Sequence, residues 1–554
     1  MPAPIAVQGY TGLTQQVRLV LEPNPGEQTL LPTTTGAGTM SLTTQPNTFS
    51  PTTGMNLHFF IIGNVTAGTI TIAGTAPGTG SAVNSQTYHV AIAPQNGQGY
   101  TDFTTKEVFA TVNASGIVLT GLTPCQVIVY GSCAGKYLLP IIADVEEKNP
   151  KHSPADKRGV LWKNFRISQL TKGVSLDKFD ASLYTDSLWA PYLLIGNSPT
   201  ITTVPAVAPT LLAATTKAAT MTLTTGPNAP GMFLVFTPAA NSVAGTITLS
   251  GLDNFGNPAS ETITVGANNT PVYSTKRYSS LTSPGSNQFA TTGLSAAATL
   301  AVTGVYAWTY TWTYDGVNNY TPYTACLEIF DGVMGKKLPY TFLSEGTFSW
   351  EKEKEISFAG KGEAQDYLVV GDPNPTTYPS GTNPFVTLPQ PTSLSMVSWP
   401  ASFFVDLGTG TPFTTQDGSL RTFKVAIQNG RKSFYSGDTM QRWSNVTWDK
   451  EPDIALDATV VFQNYQYYVN YFKPNTALIL GASFQGSFLG SISSTVYYES
   501  IAWTLPAKID TYKSDMSKNP VEGVLKLMPE YNFSNLGYAY KLAWTCQVPP
   551  TYVN

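Results

Sequence analysis

The chain has 554 residues, more than one ordinary domain requires. Only 12% are Asp, Glu, Lys or Arg, about half the usual share of roughly 25%, and the net charge is −4. This balance argues against a basic nucleic-acid binder, while 42% hydrophobic and 12% aromatic residues supply ample core.

The N-terminus shows no charged region followed by an apolar run, and no stretch of 18 apolar residues occurs, so neither a signal peptide nor a helical membrane span is expected. Thr, Ser, Asn, Gly and Pro fill the spaces between apolar residues, a mixture that favours strands and turns. Residues 1–30 read as an arm or first strand. Residues 39–47, TMSLTTQPN, return as TMTLTTGPN at 220–228. AGTITIAG at 67–74 returns as AGTITLSG at 244–251, in the same order. Two matches in register point to a duplicated module, bounded near 31–135 and 205–304. Ile70 and Ile72 share one strand face and Thr69 and Thr71 the other, the period of a half-buried strand. Each copy is the size of a two-sheet sandwich.

Cys125, Cys133, Cys326 and Cys546 are too few to staple the chain; Cys125 and Cys133 could lie on facing strands but read as two free, buried thiols. Between the modules, residues 136–204 contain the charged loop DVEEKNPKHSPADKR at 144–158. A short helix follows, with Ser187 as cap, Pro191 in the first turn, Leu188, Tyr192 and Ile195 on one face, and Gly196 at its end. Residues 305–554 are all-β in pattern, which makes one discontinuous β domain interrupted twice.

The stretch 346–360, GTFSWEKEKEISFAG, carries five alternating charges. As a continuous strand over 347–358 it puts Phe348, Trp350, Lys352, Lys354, Ile356 and Phe358 on one face. Glu351, Glu353 and Glu355 then form an acidic stripe on the other. Such a stripe suits water: a solvated sheet face, or the wall of a channel that repels a polyanion. Six prolines between 371 and 391 exclude regular structure there. Further strands are expected at 420–430, with Phe423, Val425 and Ile427 inward, and at 459–472.

Nothing nominates catalysis. His58, His89 and His152 have no partner at metal-ligand spacing, and Asp253 with Asn257 fits an ordinary turn. No catalytic residue, metal or cofactor is expected, and the chain does not read as an enzyme.

SGLDNFGNPASETITV at 250–265 resembles the Ig-like domains of phage virion proteins. GVSLDKFDASLYTDSLWAPYLLIGNSP (173–199), the segment 312–365, LRTFKVAIQNGRKSF (420–434) and the segment 500–532 resemble, in order, the major tail tube proteins of long-tailed bacteriophages. The resemblance implies an all-β fold with one or two short helices. It would be a tube sandwich or barrel that closes into a ring, interrupted by two Ig-like sandwiches. It implies a virion protein assembled in the host cytoplasm, with stacked rings forming a DNA conduit. The implied partners are further copies of the chain, tape measure protein, and tail terminator and tip proteins. DNA would pass without specific binding, past a lumen lined by Glu351, Glu353 and Glu355. Residues 1–30 and the loop carrying Pro373, Pro375, Pro379 and Pro384 would bridge rings, and the Ig-like modules would face outward toward cell surface or glycans. A second, fused tube domain from about 395 would make each ring a pseudo-sixfold trimer; a single domain would make it a hexamer. The alternatives are another decoration or tail-fibre component, or a surface adhesin.

Overall fold

Alternation of apolar and polar residues becomes strand almost everywhere. The computed structural model describes residues 16–22, 27–36, 38–50, 54–63, 67–77, 82–90, 99–122, 124–134, 137–139, 141–147, 174–196, 198–281, 287–314, 322–330, 335–365, 367–372, 385, 396, 399–406, 419–434, 445–448, 452–461, 472–473, 475, 477–492, 494–515, 517, 522–529 and 537–550. Among these, a single α-helix stands against 36 strands, so the protein is all-β.

Two sandwiches share one strand order. In the first, Gln28–Thr35, Cys125–Cys133, Met55–Gly63 and Gly99–Thr104 lie side by side. They face a sheet of Thr39–Met40, Thr111–Thr120, Gly68–Thr75 and Ala82–Val90. In the second, the corresponding sheets are Thr210–Thr216, Thr299–Val305, Phe233–Ala239 and Val272–Tyr273, and Thr220–Thr222, Gln288–Thr292, Gly245–Asp253 and Pro258–Val265. Tyr278–Leu281 pairs with Gly251–Asp253 as Thr111 and Val112, the start of Thr111–Thr120, pair with Thr75 and Gly74 in the first copy. The repeated motifs fall on equivalent strands. Ile70 and Ile72 in one, and Ile247 and Leu249 in the other, are wholly buried in two separate cores.

The body is built from two further sheets that share a strand. One runs Ile141–Glu147, Val174–Ser182, Ser357–Ala364, Gly335–Glu351, Ser419–Gln428, Asp453–Val461, Glu522–Pro529 and Thr495–Asp515. The other runs Ala401–Asp406, Leu478–Ile492, Thr495–Asp515, Tyr540–Cys546, Ala307–Tyr314 and Thr200–Val204. Thr495–Asp515 belongs to both because residues 500–504 pair with 541–545 and residues 507–515 with 522–529, across a bulge at Ile509 and Thr511. Such an irregularity bends a strand from one sheet into the next. Trp308, Tyr310, Trp312, Trp503 and Trp544 fill the core between them.

The helix, Trp189–Leu194, is buried on every side rather than along one stripe. Ser187 does not cap it; its Oγ accepts the Tyr184 N–H at 2.9 Å, and Leu188 occupies the cap. The far end is closed by side chains: Asn429 Nδ2 donates to the Leu194 carbonyl at 3.3 Å and the Trp312 indole N–H to the Gly196 carbonyl at 3.0 Å. Gly346 lets the helix approach, since a Cβ there would meet Leu194 at 2.7 Å.

Gln16–Glu22 pairs with Thr324–Phe330 over seven residues and separates two cores. Leu19, Leu21, Ala325, Leu327 and Ile329 enter the body; Val20 and Cys326 enter the first sandwich. Strand period alone assigns Arg18, Glu22, Thr324 and Glu328 to the sandwich side.

Of the expected strands, 420–430 corresponds to Ser419–Gln428, with Phe423, Val425 and Ile427 buried. Of the strand expected at 459–472, residues 459–461 belong to Asp453–Val461; 462–471 lie outside the described residues, as do Pro373, Pro375, Pro379 and Pro384 and most of the loop 144–158. Cys125 and Cys133 sit at opposite ends of one strand, and all four cysteines are free and buried.

Candidate assembly surfaces and the seam that supports them

The continuous strand expected over 347–358 is a hairpin. Gly335–Glu351 ends at the first charge, residues 352–354 turn, and Ser357–Ala364 returns with Ser349 opposite Ser357. The Lys354 N–H donates to the Glu351 carbonyl at 3.1 Å, and Glu353 takes a positive φ of 69°. Glu351, Glu353 and Glu355 are therefore not a stripe on one strand face. They share an exposed turn with the two lysines. Lys354 Nζ lies 2.7 Å from Glu351 Oε2 and Lys352 Nζ 3.5 Å from Glu353 Oε1, which offsets two of the three negative charges. The physical reason is visible in the apolar residues. Phe348 and Phe358 stand directly opposite each other, their rings 5.0 Å apart, and Trp350 and Ile356 are buried beside them. Extending the strand would have pushed two ammonium groups into that core.

A second projection is the end of the hairpin formed by Leu478–Ile492 and Thr495–Asp515. Past Gly486 the first strand has no ladder partner other than its mate among the described residues, and residues 495–499 likewise pair only across the hairpin. One face and one edge are covered. Leu489 and Tyr497 pack with Tyr306 and Met232, and the Tyr306 hydroxyl donates to the Ser491 carbonyl at 3.0 Å. The other face leaves Phe488, Val496 and Tyr498 exposed, Phe488 at 52%, with the Phe488 and Tyr498 rings edge to face at 6.1 Å.

Beneath the first sandwich lies a layer of buried charge. Lys337 Nζ is 2.7 Å from Asn56 Oδ1, 3.2 Å from Glu328 Oε1 and 3.3 Å from the Ser132 carbonyl. Arg18 Nη1 reaches Glu328 Oε2 at 3.5 Å, and Thr324 donates to Glu22 at 2.9 Å. Burial lowers the pKa of the Arg18 guanidinium, which the nearby Glu328 partly counters. Burial also pushes the Cys133 thiol up to about 12, so it does not act as a thiolate. None of these polar residues was singled out from the sequence. The charged residue inside the apolar run TACLEIF was the available signal.

The second sandwich meets the body differently. Phe233 and Tyr273 pack on Trp308 at 5.0 and 5.7 Å. Arg277 donates to the Gly231 carbonyl at 2.7 Å, to the Leu489 carbonyl and to Gln547 Oε1 at 3.1 Å. Gln547 in turn donates to Glu499 at 2.9 Å. Burial raises the Glu499 carboxyl above its ordinary value.

Two histidines lie within hydrogen-bond reach of carboxylates, and the third lies outside the described residues. His58 is buried between Glu27 (2.7 Å) and Asp102 (3.4 Å), and His89 Nδ1 lies 2.7 Å from Asp372. His152 is not among the described residues. Asp253 Oδ1 accepts the N–H groups of Phe255 and Asn257, both at 2.8 Å, which closes the turn between two strands. Among the described residues, no three His, Cys, Asp or Glu side chains gather as a metal site.

No family model and no curated protein matches the chain. Among solved structures, it is similar to the PBSX exported protein XepA at 9% identity, over 52% of this chain and 86% of that one, with a TM-score of 0.10. It is also similar to proteins of infectious bursal disease virus: the Gx strain at 12% identity over 65% and 81% (TM-score 0.08), and the Gt strain at 9% over 66% and 78% (TM-score 0.07).

Proposed function

We propose that this chain is a self-assembling structural protein of a virion, and within that class a tail tube subunit whose copies close into stacked rings around a DNA conduit. The observation that carries the reading is the projecting hairpin end. An antiparallel edge at residues 495–499 beside exposed Phe488, Val496 and Tyr498 is an unfinished surface. Isolated chains that present such edges aggregate, and ring closure by identical copies removes the edge. The tube assignment within this class draws on the sequence resemblance of the body segments. In this reading the protein has no catalytic role and binds no cofactor. Tape measure, terminator and tip proteins meet the ends of the tube, and the sandwiches face outward, where contact with a host surface or glycan would occur. The exposed turn at 351–355 is ion-paired and is not assigned to the bore.

The test is assembly of the purified chain. Electron microscopy at rising protein concentration is expected to show rings and short tubes, and six or three chains per ring decides between single and fused tube domains. Phe488→Asp combined with Tyr498→Asp is expected to leave a folded monomer that does not polymerise. A wild-type chain that stays monomeric at high concentration overturns the reading.

A further inference from the structure

Three side chains from three strands meet at the seam in an arrangement that exceeds what an ion pair requires. Lys337, on Gly335–Glu351, is wholly buried. Asn56, on Met55–Gly63, is 1% exposed, and Glu328, on Thr324–Phe330, is 2% exposed. The lysine nitrogen touches the amide oxygen of Asn56 at 2.7 Å and Glu328 Oε1 at 3.2 Å. Asn56 Nδ2 faces three backbone carbonyls, those of Thr105 at 3.0 Å, Lys106 at 3.2 Å and Glu107 at 3.1 Å. Carbonyls only accept, so they fix the amide with its nitrogen toward them and its oxygen toward the lysine. Ser132, directly opposite Asn56 in the ladder, leaves its Oγ without a hydrogen-bond partner among the described residues.

We propose that Lys337 and Asn56 join in an intramolecular isopeptide bond, with Glu328 as the proton-transfer group. Glu328 Oε1 takes one proton from the Lys337 ammonium and frees the lone pair of Nζ. That lone pair attacks Cγ of Asn56, forming the Nζ–Cγ bond. The tetrahedral centre collapses with cleavage of Cγ–Nδ2, and a second Nζ hydrogen passes to the departing nitrogen through Glu328. Of the five hydrogens on the two nitrogens, three leave as ammonia, one remains on the new amide and one stays on Glu328. No electrons are gained or lost, and no co-reactant is needed. The three carbonyls around Nδ2 cradle the departing nitrogen as acceptors.

An amide is a poor electrophile in water, but the reacting groups are here held in contact and away from solvent. Well-oriented intramolecular reactions reach effective molarities on the order of 10⁵–10⁸ M. The reaction also removes a buried ammonium, and with Glu328 protonated it leaves Arg18 and Glu22 as the opposite charges of the layer. The bond would weld the first sandwich to the body across 281 residues of chain.

The experiment is the mass of the full-length wild-type protein, denatured after folding. It is expected to fall below the sequence mass by one ammonia, and a tryptic digest is expected to contain a branched peptide linking Asn56 to Lys337. Lys337→Met and Glu328→Gln should both restore the full mass. A wild-type protein of full mass, with Asn56 and Lys337 recovered in separate linear peptides, overturns the proposal whatever the variants do. If Glu328→Gln folds by circular dichroism and still loses ammonia, the bond stands and the role of Glu328 falls.

Discussion

The two sandwiches have the same strand order and separate cores, yet they join the body by opposite means. The first rests on a buried ionic layer of Arg18, Glu22, Glu328 and Lys337, and its core admits Val20 and Cys326 from body strands. A strap at 370–372 adds to this: Val370 pairs in parallel with Thr104, and Asp372 pairs with His89. The second keeps its sheets to itself and leans on Trp308 through Phe233 and Tyr273, with one arginine hooked onto backbone carbonyls. Alternation along each strand suffices to make the sandwich. A handful of residues at each seam then decides whether it behaves as part of the body or as an appended unit.

The largest effect is expected from breaking the first seam. Lys337→Met removes the buried lysine that Glu328 faces at 3.2 Å together with its link to Asn56, and losing one member of a buried pair by itself costs about 3–5 kcal/mol. Chemical denaturation should show the body and first sandwich losing stability together while the second sandwich keeps its own transition. Arg277→Ala tests the other seam. It leaves the buried Leu489 and Gly231 carbonyls without their charged donor, at about 1–3 kcal/mol. The expected readout is faster hydrogen exchange and proteolysis confined to the second sandwich and the hairpin end at 487–492. If Arg277→Ala instead destabilises the body as much as Lys337→Met does, the contrast between the seams is wrong.

How much of this was readable beforehand depends on the range of the interaction. Period-2 alternation placed Ile70, Ile72, Phe423, Val425 and Ile427 inward, and repeated motifs marked equivalent strands, because both are properties of neighbouring residues. The same alternation could not separate one long strand from a hairpin. Phe348, Trp350, Ile356 and Phe358 face the core either way, since the turn between them keeps parity. Lys352 and Lys354 on the supposed apolar face were the warning, and Glu353 carries the positive φ without being the Gly or Asn that usually announces it. The seams were hidden for a different reason. Asn56, Glu328 and Lys337 meet only after both sandwich and body have folded, and no local pattern ties residue 56 to residue 337.

Acidity sharpens the comparison in a smaller way. Burial is the main reason the Glu499 carboxyl is raised from its ordinary 4.5, against hydrogen bonds from Gln547 and Ser487 and the charge of Arg277, with Asp186 reinforcing it. A raised folded-state value means that the folded protein holds the proton more tightly than the unfolded chain. The stability it contributes is complete below the ordinary value and is lost as the pH rises through the raised one. Exchange protection around the second seam should therefore weaken from acid toward neutral pH. Glu499→Gln should flatten that dependence, while the first seam is unaffected by the substitution.

The smallest effect is expected where the same chemistry meets water. Lys354 and Glu351 approach to 2.7 Å, closer than the 3.2 Å between Lys337 and Glu328, so distance alone would rank the surface pair as the stronger. Both partners on the turn are at least half exposed or nearly so, at 66% and 49%, against 0% and 2% at the seam. Water screens the attraction and solvates whichever partner remains after the other is removed, so Lys354→Ala should cost no more than about 0.5 kcal/mol. Even that remnant should fade at high salt. Measured beside Lys337→Met in an Asn56→Ala background, which has no amide to link, it isolates burial as the variable. A turn variant as damaging as the seam variant would mean that the hairpin at 351–355 is covered in the folded chain, and that proximity rather than desolvation sets the difference between the two pairs.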